Sequence, residues 1–149
     1  MLTVAVLSEK DKKDMSALTC NPQYGPTNPS PEDQEVRALR RFGSVIGLKL
    51  EKEQYYRDLH ADVWPSVIDR LRKSNIRNYS IHLIEIEGRK YLVSYLEYVG
   101  LDYQADMDSI AEDPETRRWW KETDPCQFSL DSGEAGIKWS PLEMLFLME

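Results

Sequence analysis

Apolar residues recur every four positions through residues 51–71, while charged residues take the opposite positions. The apolar residues at this spacing are Leu59, Val63, Val67 and Leu71. This period is typical of an amphipathic helix with one face on the core. Because Pro65 removes one backbone donor and its ring clashes with the preceding turn, the sequence predicts a kink or a restart of the helix near Trp64.

Runs rich in β-branched and aromatic residues predict strands on both sides of this helix. The first run covers residues 41–50, and two more lie within residues 78–100, separated by a predicted tight turn at Glu87 and Gly88. Both hairpin strands carry apolar side chains on both faces, whereas an antiparallel sheet in a small monomer usually leaves one face to solvent. We therefore expect helices to cover one face and a second subunit to cover the other.

The second half of the chain predicts two further helices and a closing strand. Residues 102–123 divide into two short helices, with Asp113 as the N-cap of the second and Pro114 at its first position. The apolar run 141–149 predicts the last strand. The element order from Phe42 is then β-α-β-β-α-β, which is the ferredoxin-like arrangement of the α+β class.

Residues 1–41 differ from the rest of the chain. Four prolines fall within residues 22–31, which is typical of an irregular segment. Ser30 as N-cap and Pro31 at the first helical position predict two helical turns after them. We interpret 1–41 as an extension of a domain that covers 42–149. Two roles stay open for it: a poorly ordered appendage, or a regulatory, partner-facing tail.

Net charge narrows the classes of partner. The chain of 149 residues has a formal net charge of −7. This acidity works against nucleic-acid binding, which needs a clustered positive surface, and against binding to an anionic membrane. No run approaches the roughly 20 apolar residues of a membrane helix. The N-terminal residues also lack the basic start of a signal peptide, so the cytoplasm is the expected location.

Metal and cofactor motifs are missing from the sequence. Cys20 and Cys126 are the only cysteines, and His60 and His82 are the only histidines. Without a CxxC pair or paired histidines, a zinc site is not expected, and Cys126 is interpreted as a small buried hydrophobe. Dinucleotide-binding, Walker and nucleophile-elbow motifs are absent as well. The sequence predicts a site without metal or cofactor, for which proton transfer is the remaining chemistry.

His60 is the first candidate for that chemistry. Tyr56 lies one turn before it and Trp64 one turn after it, so a continuous helix would project all three in register. A phenol, an imidazole that titrates near neutrality and a flat indole are the components of a carbohydrate pocket. A lone histidine on an apolar helix face is more often a satisfied core residue, and this alternative stays open.

Three further aromatic residues are candidates for the same pocket. Trp119 and Trp120 are adjacent, and because consecutive helical residues point about 100° apart, one can pack inward while the other reaches a pocket. The alternative is two bulky core fillers. Tyr79 opens the first hairpin strand, where a tyrosine more often serves packing. His82 lies on the opposite strand face and is interpreted as structural or exposed.

Four stretches together resemble L-rhamnose mutarotases. "YYRDLHADVWPSV", with its H-x-x-x-W-P pattern, resembles the start of the long helix of that family, and "NYSIHL" resembles its second-strand motif. "DPETRRWWKETDPCQ" resembles its double-tryptophan helix, and "PLEMLFLME" its closing strand. They occur in the family's order and cover residues 42–149. The extension 1–41 and the Ala61-Asp62 pair after the histidine, where some relatives have Asn-Pro, depart from the family pattern.

The resemblance implies a fold, a reaction and roles for the candidate residues. It implies a dimeric α/β-barrel of two ferredoxin-like subunits that interconverts the α and β anomers of L-rhamnose or a related deoxy sugar. It implies that His60 acts as proton donor and that the sugar is contacted by Tyr56, Tyr79, Trp119 and Trp120. The partners expected are therefore a small monosaccharide and a second copy of the chain.

Two other functions are compatible with the same residues. A cofactor-free oxygenase on a dimeric α/β-barrel would use an aromatic pocket for a planar substrate. A non-catalytic sugar-binding protein would bind the sugar without exchanging its anomers.

Overall fold

The computed structural model describes residues 20–131 and 136–149. Two short 3₁₀ turns lie at Leu50–Lys52 and Asp124–Cys126. The helices and strands are α1 (Pro31–Glu35), β1 (Arg40–Leu48), α2 (Glu53–Ala61), α3 (Pro65–Lys73), β2 (Ile76–Ile86), β3 (Arg89–Tyr98), α4 (Tyr103–Glu112), α5 (Pro114–Thr123), β4 (Gln127–Phe128) and β5 (Ser140–Pro141).

One antiparallel sheet organises these elements. Its strand order is β2-β3-β1-β4, and β5 pairs with another part of β1. Two helices, α2 and α3, connect β1 to β2, and two more, α4 and α5, connect β3 to β4. The predicted α+β, ferredoxin-like arrangement is therefore confirmed.

The helix predicted over residues 51–71 is divided, as Pro65 predicts. α2 ends at Ala61 and α3 begins at Pro65, and Trp64 between them has φ −54° and ψ 129°. These angles are extended because the proline ring disfavours a helical residue before it.

The hairpin between β2 and β3 contains two departures from regular strand geometry. Glu87 and Gly88 have φ values of 51° and 74°, which gives the left-handed pair typical of a tight hairpin turn and confirms the predicted turn. A bulge breaks the β2 register between Arg77 and Ser80, and Asn78 within it has φ 46°. Bulges redirect a side chain, and here the residue beside Asn78 is Tyr79.

Among the described residues, buried hydrophobic side chains form two clusters. The first contains Ile46, Leu48, Tyr56, Leu92 and Cys126, and the second Ile76, Tyr98 and Ile110. Cys126 is fully buried, as expected. Because Tyr56 belongs to the first cluster, this part of the core also fixes one end of the candidate site.

The closing strand predicted over 141–149 is wrong in extent. Only Ser140–Pro141 pairs with the sheet, and the chain beyond it forms no regular element. Leu142 still donates its N–H to the carbonyl of Gly43 at 2.9 Å, but Leu147 donates to the carbonyl of Thr27 at 2.8 Å. The terminal backbone therefore pairs with the extension instead of with the sheet.

The extension contributes less helix than its sequence predicts. Ser30 caps α1 as predicted, accepting a hydrogen bond from the N–H of Asp33, but α1 is only five residues long. Residues 36–39, which include those that a second helical turn would have used, form a turn and a bend, and β1 begins at Arg40. In the two described ranges no helix is long and apolar enough to cross a membrane.

Candidate active site

Tyr56 and His60 form the centre of the candidate site. They lie one turn apart on α2, and their rings stack with centroids 4.0 Å apart and an interplanar angle of 24°. Tyr56 is 5% exposed, and His60 is half-buried. His60 Nδ1 lies 2.9 Å from the carbonyl oxygen of Tyr56. Since a carbonyl only accepts, Nδ1 carries the hydrogen, and Nε2 is the nitrogen left for chemistry.

Burial changes the acidity of all three titratable aromatic residues in this region. It lowers the pKa of His60, and the hydrogen bond to the Tyr56 carbonyl opposes this only in part. Burial raises the pKa of the Tyr56 phenol, and the nearby Tyr79 raises it further. Burial also raises the pKa of Tyr79, so its hydroxyl end is desolvated although 42% of the residue is exposed. Both phenols therefore stay protonated near neutrality.

The tryptophan pair is divided between the core and the pocket edge. Trp119 is 6% exposed, and its ring meets His60 edge-on with centroids 5.2 Å apart. Trp120 is 38% exposed. α5 holds both rings, and its N-terminus is fixed by Asp113, which accepts from the N–H and hydroxyl of Thr116 at 2.8 and 2.9 Å. The predicted N-cap is confirmed.

Trp64 does not extend the Tyr56–His60 pair, which corrects the expected three-residue ridge. Because the helix breaks before Pro65, Trp64 is not a helical turn after His60. Its ring instead meets Trp119 edge-on with centroids 5.1 Å apart, and the Arg118 guanidinium lies over it at 4.4 Å. Trp64 therefore packs against Trp119 and lines neither of the two pockets described below.

The five residues to which the resemblance assigns roles all line one pocket of about 340 Å³. They are Tyr56, His60, Tyr79, Trp119 and Trp120. The first four also border a larger cleft of about 880 Å³, which α3 and β2 help to line. Both volumes are in the range of small-molecule sites. His82 borders only the larger cleft, is exposed as expected, and has Nε2 3.1 Å from the Ser80 hydroxyl.

Three pocket residues escaped the sequence analysis because they lie in a region that reads as loop. Gln127 is 4% exposed, and its Nε2 donates to the Tyr56 hydroxyl at 3.5 Å. Asp124 and Trp139 line the same pocket. No hydrophobic period marks these positions. The available signal was that Asp124 and Gln127 end the stretch that resembles the family's double-tryptophan helix.

The donor set of the site suits a neutral polar ligand with an apolar face. Indole surfaces pack against C–H groups, while the imidazole, phenols and amide reach hydroxyl groups. Within residues 20–131 and 136–149, no three histidine, cysteine or carboxylate side chains group closely enough to hold a metal ion. The chemistry available to these residues themselves is therefore hydrogen bonding and proton transfer.

Known proteins are similar to this chain in sequence and in fold. A family model described as L-rhamnose mutarotase matches residues 41–148. The L-rhamnose mutarotase of Lactiplantibacillus plantarum is 33% identical over 85 residues, which are 57% of this chain and 77% of that protein. That of Rhizobium johnstonii is 36% identical over 84 residues, which are 55% and 73%.

A solved structure shows the same fold. The crystal structure of an L-rhamnose mutarotase from Formosa agariphila aligns with a TM-score of 0.55 and 22% identity, over 74% of this chain and 99% of that one. At this identity the alignment speaks for the fold alone. The family model, however, spans well over half of the sequence. This chain belongs to the L-rhamnose mutarotase family.

Proposed function

We propose that this protein is a carbohydrate isomerase that interconverts the α and β anomers of L-rhamnose or a related deoxyhexose. The observation that carries the proposal is the placement of His60, whose Nε2 is left free in a pocket walled by two tyrosines and two tryptophans. Family membership favours this reaction over the oxygenase and over a non-catalytic binding protein.

Mutarotation opens and recloses the sugar ring. The hydroxyl at O1 loses a proton while the ring oxygen O5 gains one, and rotation about C1–C2 exposes the other carbonyl face before the ring closes. In the proposed mechanism His60 donates the proton to O5 through Nε2. The hydrogen bond from Nδ1 to the Tyr56 carbonyl holds the ring in the orientation that this transfer needs.

The aromatic residues hold the sugar against the imidazole. Trp119 and Trp120 provide flat surfaces for the C–H face of the pyranose. The phenols of Tyr56 and Tyr79, which stay protonated, donate hydrogen bonds to sugar oxygens. General acid–base assistance contributes about 10²–10⁴ in rate. This suffices for a reaction that also proceeds in water, and proton transfer alone needs no cofactor.

The substrate site belongs, in this proposal, to a cytoplasmic homodimer. Residues 42–149 form the catalytic domain and 1–41 the extension. Supporting the dimer, β2 exposes Ile84 and Ile86 by 45% and 51%, and a second copy would cover them. Sedimentation equilibrium of the protein tests this assembly, and a monomer at micromolar concentration would contradict it.

The two histidines give a matched test of the reaction. Saturation-transfer NMR measures how fast the anomers of L-rhamnose exchange. We expect His60→Ala to lower the enzymatic exchange rate about 10²–10⁴-fold, and His82→Ala to leave it unchanged, because His82 is exposed and outside the smaller pocket. A His60→Ala protein as fast as the wild type overturns the assignment. A panel of other deoxy sugars then defines the substrate.

A further inference from the structure

Asp124 carries a carboxylate at the pocket where the proposed chemistry takes place. It begins the 3₁₀ turn that follows α5 and lines the smaller pocket together with His60 and Tyr79. Among the described residues that line this pocket, it is the only one with an acidic side chain. Its backbone is fixed between Thr123 and Cys126, which are 4% and 0% exposed.

The surroundings of Asp124 differ from those of the carboxylates that support the fold. The pKa values of Asp106 and Asp113 are lowered by hydrogen bonds from neighbouring groups. Burial alone raises the pKa of Asp124. In the described part of the chain its side chain has neither a hydrogen bond nor an ion pair. Keeping a partly buried carboxyl without a partner costs stability, which is typical of groups retained for function.

The proposed reaction requires a base that none of the predicted residues supplies. Besides Asp124, the titratable groups among the described residues that line the smaller pocket are Tyr56, His60 and Tyr79. The phenols are protonated near neutrality and are poor bases, while His60 is engaged with O5. A carboxylate, in contrast, is ionised and only accepts.

We infer that Asp124 is the catalytic base that takes the O1 proton of the sugar. This inference rests on the proposed function. The O1–H proton moves to the Asp124 carboxylate, and its electron pair forms the C1=O1 double bond as the C1–O5 bond breaks. The pair released on O5 takes the proton from His60 Nε2. Closure on the other carbonyl face reverses both transfers and regenerates both residues.

The inference predicts a bell-shaped dependence of the exchange rate on pH. The productive enzyme has Asp124 ionised and His60 protonated, so the rate falls at low pH as Asp124 gains a proton and at high pH as His60 loses one. Burial raises the pKa of Asp124 and lowers that of His60, so the pH range in which the enzyme is active becomes narrower at both ends. Of the neighbouring ionisable groups, Glu122 is hydrogen-bonded to Tyr55, and burial raises the pKa of the Cys126 thiol, which keeps it uncharged.

The test compares Asp124→Asn with Asp62→Asn, which removes an exposed carboxylate two residues from His60. Saturation-transfer NMR is recorded over pH with L-rhamnose. We expect Asp124→Asn to lower kcat about 100-fold or more and to abolish the acidic limb, with KM changed far less. Asp62→Asn keeps the wild-type rate and profile. Asp124→Glu, which keeps a carboxylate, retains the acidic limb.

Each outcome decides a separate question. An Asp124→Asn protein with wild-type kcat, or with its acidic limb intact, overturns the inference. If Asp124→Asn does not fold, loss of the acidic limb in folded Asp124→Glu overturns it equally. A wild-type protein that does not accelerate exchange of any deoxy sugar tested refutes the proposed function itself, which is a different failure.

Discussion

Two aromatic clusters in this protein use similar residues in opposite ways. In the second core cluster, Tyr98 is 1% exposed, and its hydroxyl donates to Asp106 at 2.6 Å. Asn75 donates to the same carboxylate oxygen at 2.9 Å. In the candidate site the Tyr56 hydroxyl meets only Gln127, at 3.5 Å, and Asp124 has no partner in the described chain. The cluster that supports the fold satisfies its polar groups internally, whereas the candidate site leaves its polar groups available to a ligand.

The largest expected effect is the difference in stability loss between alanine variants of Trp119 and Trp120. Trp119→Ala removes a ring that is 6% exposed and packs on His60, so it should lower the free energy of unfolding by about 3–5 kcal/mol. Trp120→Ala should cost less than about 1 kcal/mol and mainly raise KM, because Trp120 lies at the pocket edge. Urea denaturation and exchange kinetics measure the two quantities. Equal stability losses would show that both rings fill the core.

The tyrosine pair tests the comparison directly. Tyr98→Phe should lower the free energy of unfolding by about 1.5–3 kcal/mol, because it removes a hydrogen bond to a carboxylate, and it should leave anomer exchange unchanged. Tyr56→Phe should cost less than about 1 kcal/mol, because the hydroxyl's one hydrogen bond in the described chain, from Gln127, is long, and it should slow exchange. Denaturation in urea and saturation-transfer NMR distinguish them. If the Tyr56→Phe protein is stable and exchanges anomers as fast as the wild type, the Tyr56 hydroxyl has no role in the reaction.

The sequence predicts those parts of the molecule that local rules determine. Pro65 fixed where the helix divides, and Glu87-Gly88 where the hairpin turns, because both effects act within a few residues. The apolar residues of 141–149 do not determine which backbone this segment pairs with. The five candidate residues were predicted from the spacing of aromatic residues and from the resemblance, and all five line the smaller pocket. Asp124 and Gln127 were missed because only the tertiary fold brings a non-periodic turn against α2.

The smallest expected effect is the share of the acid dependence of stability that Asp106 contributes through its hydrogen bond from Tyr98. Hydrogen bonds from Tyr98 and then from Asn75 lower the pKa of Asp106 below its ordinary value of 3.8. Because the pKa of Asp106 is lower in the folded state, the stabilisation is complete above the unfolded pKa and disappears as the pH falls through the folded pKa.

Urea denaturation between about pH 5 and pH 2 measures this contribution. As the pH falls, the free energy of unfolding should decrease less steeply for Asp106→Asn than for the wild type. Asp69→Asn, which changes an exposed carboxylate 3.9 Å from Arg72, serves as control and should keep the wild-type slope. If Asp106→Asn and Asp69→Asn gave the same acid slope, the satisfied cluster would contribute nothing through its charge, and the contrast with the open site would rest on packing alone.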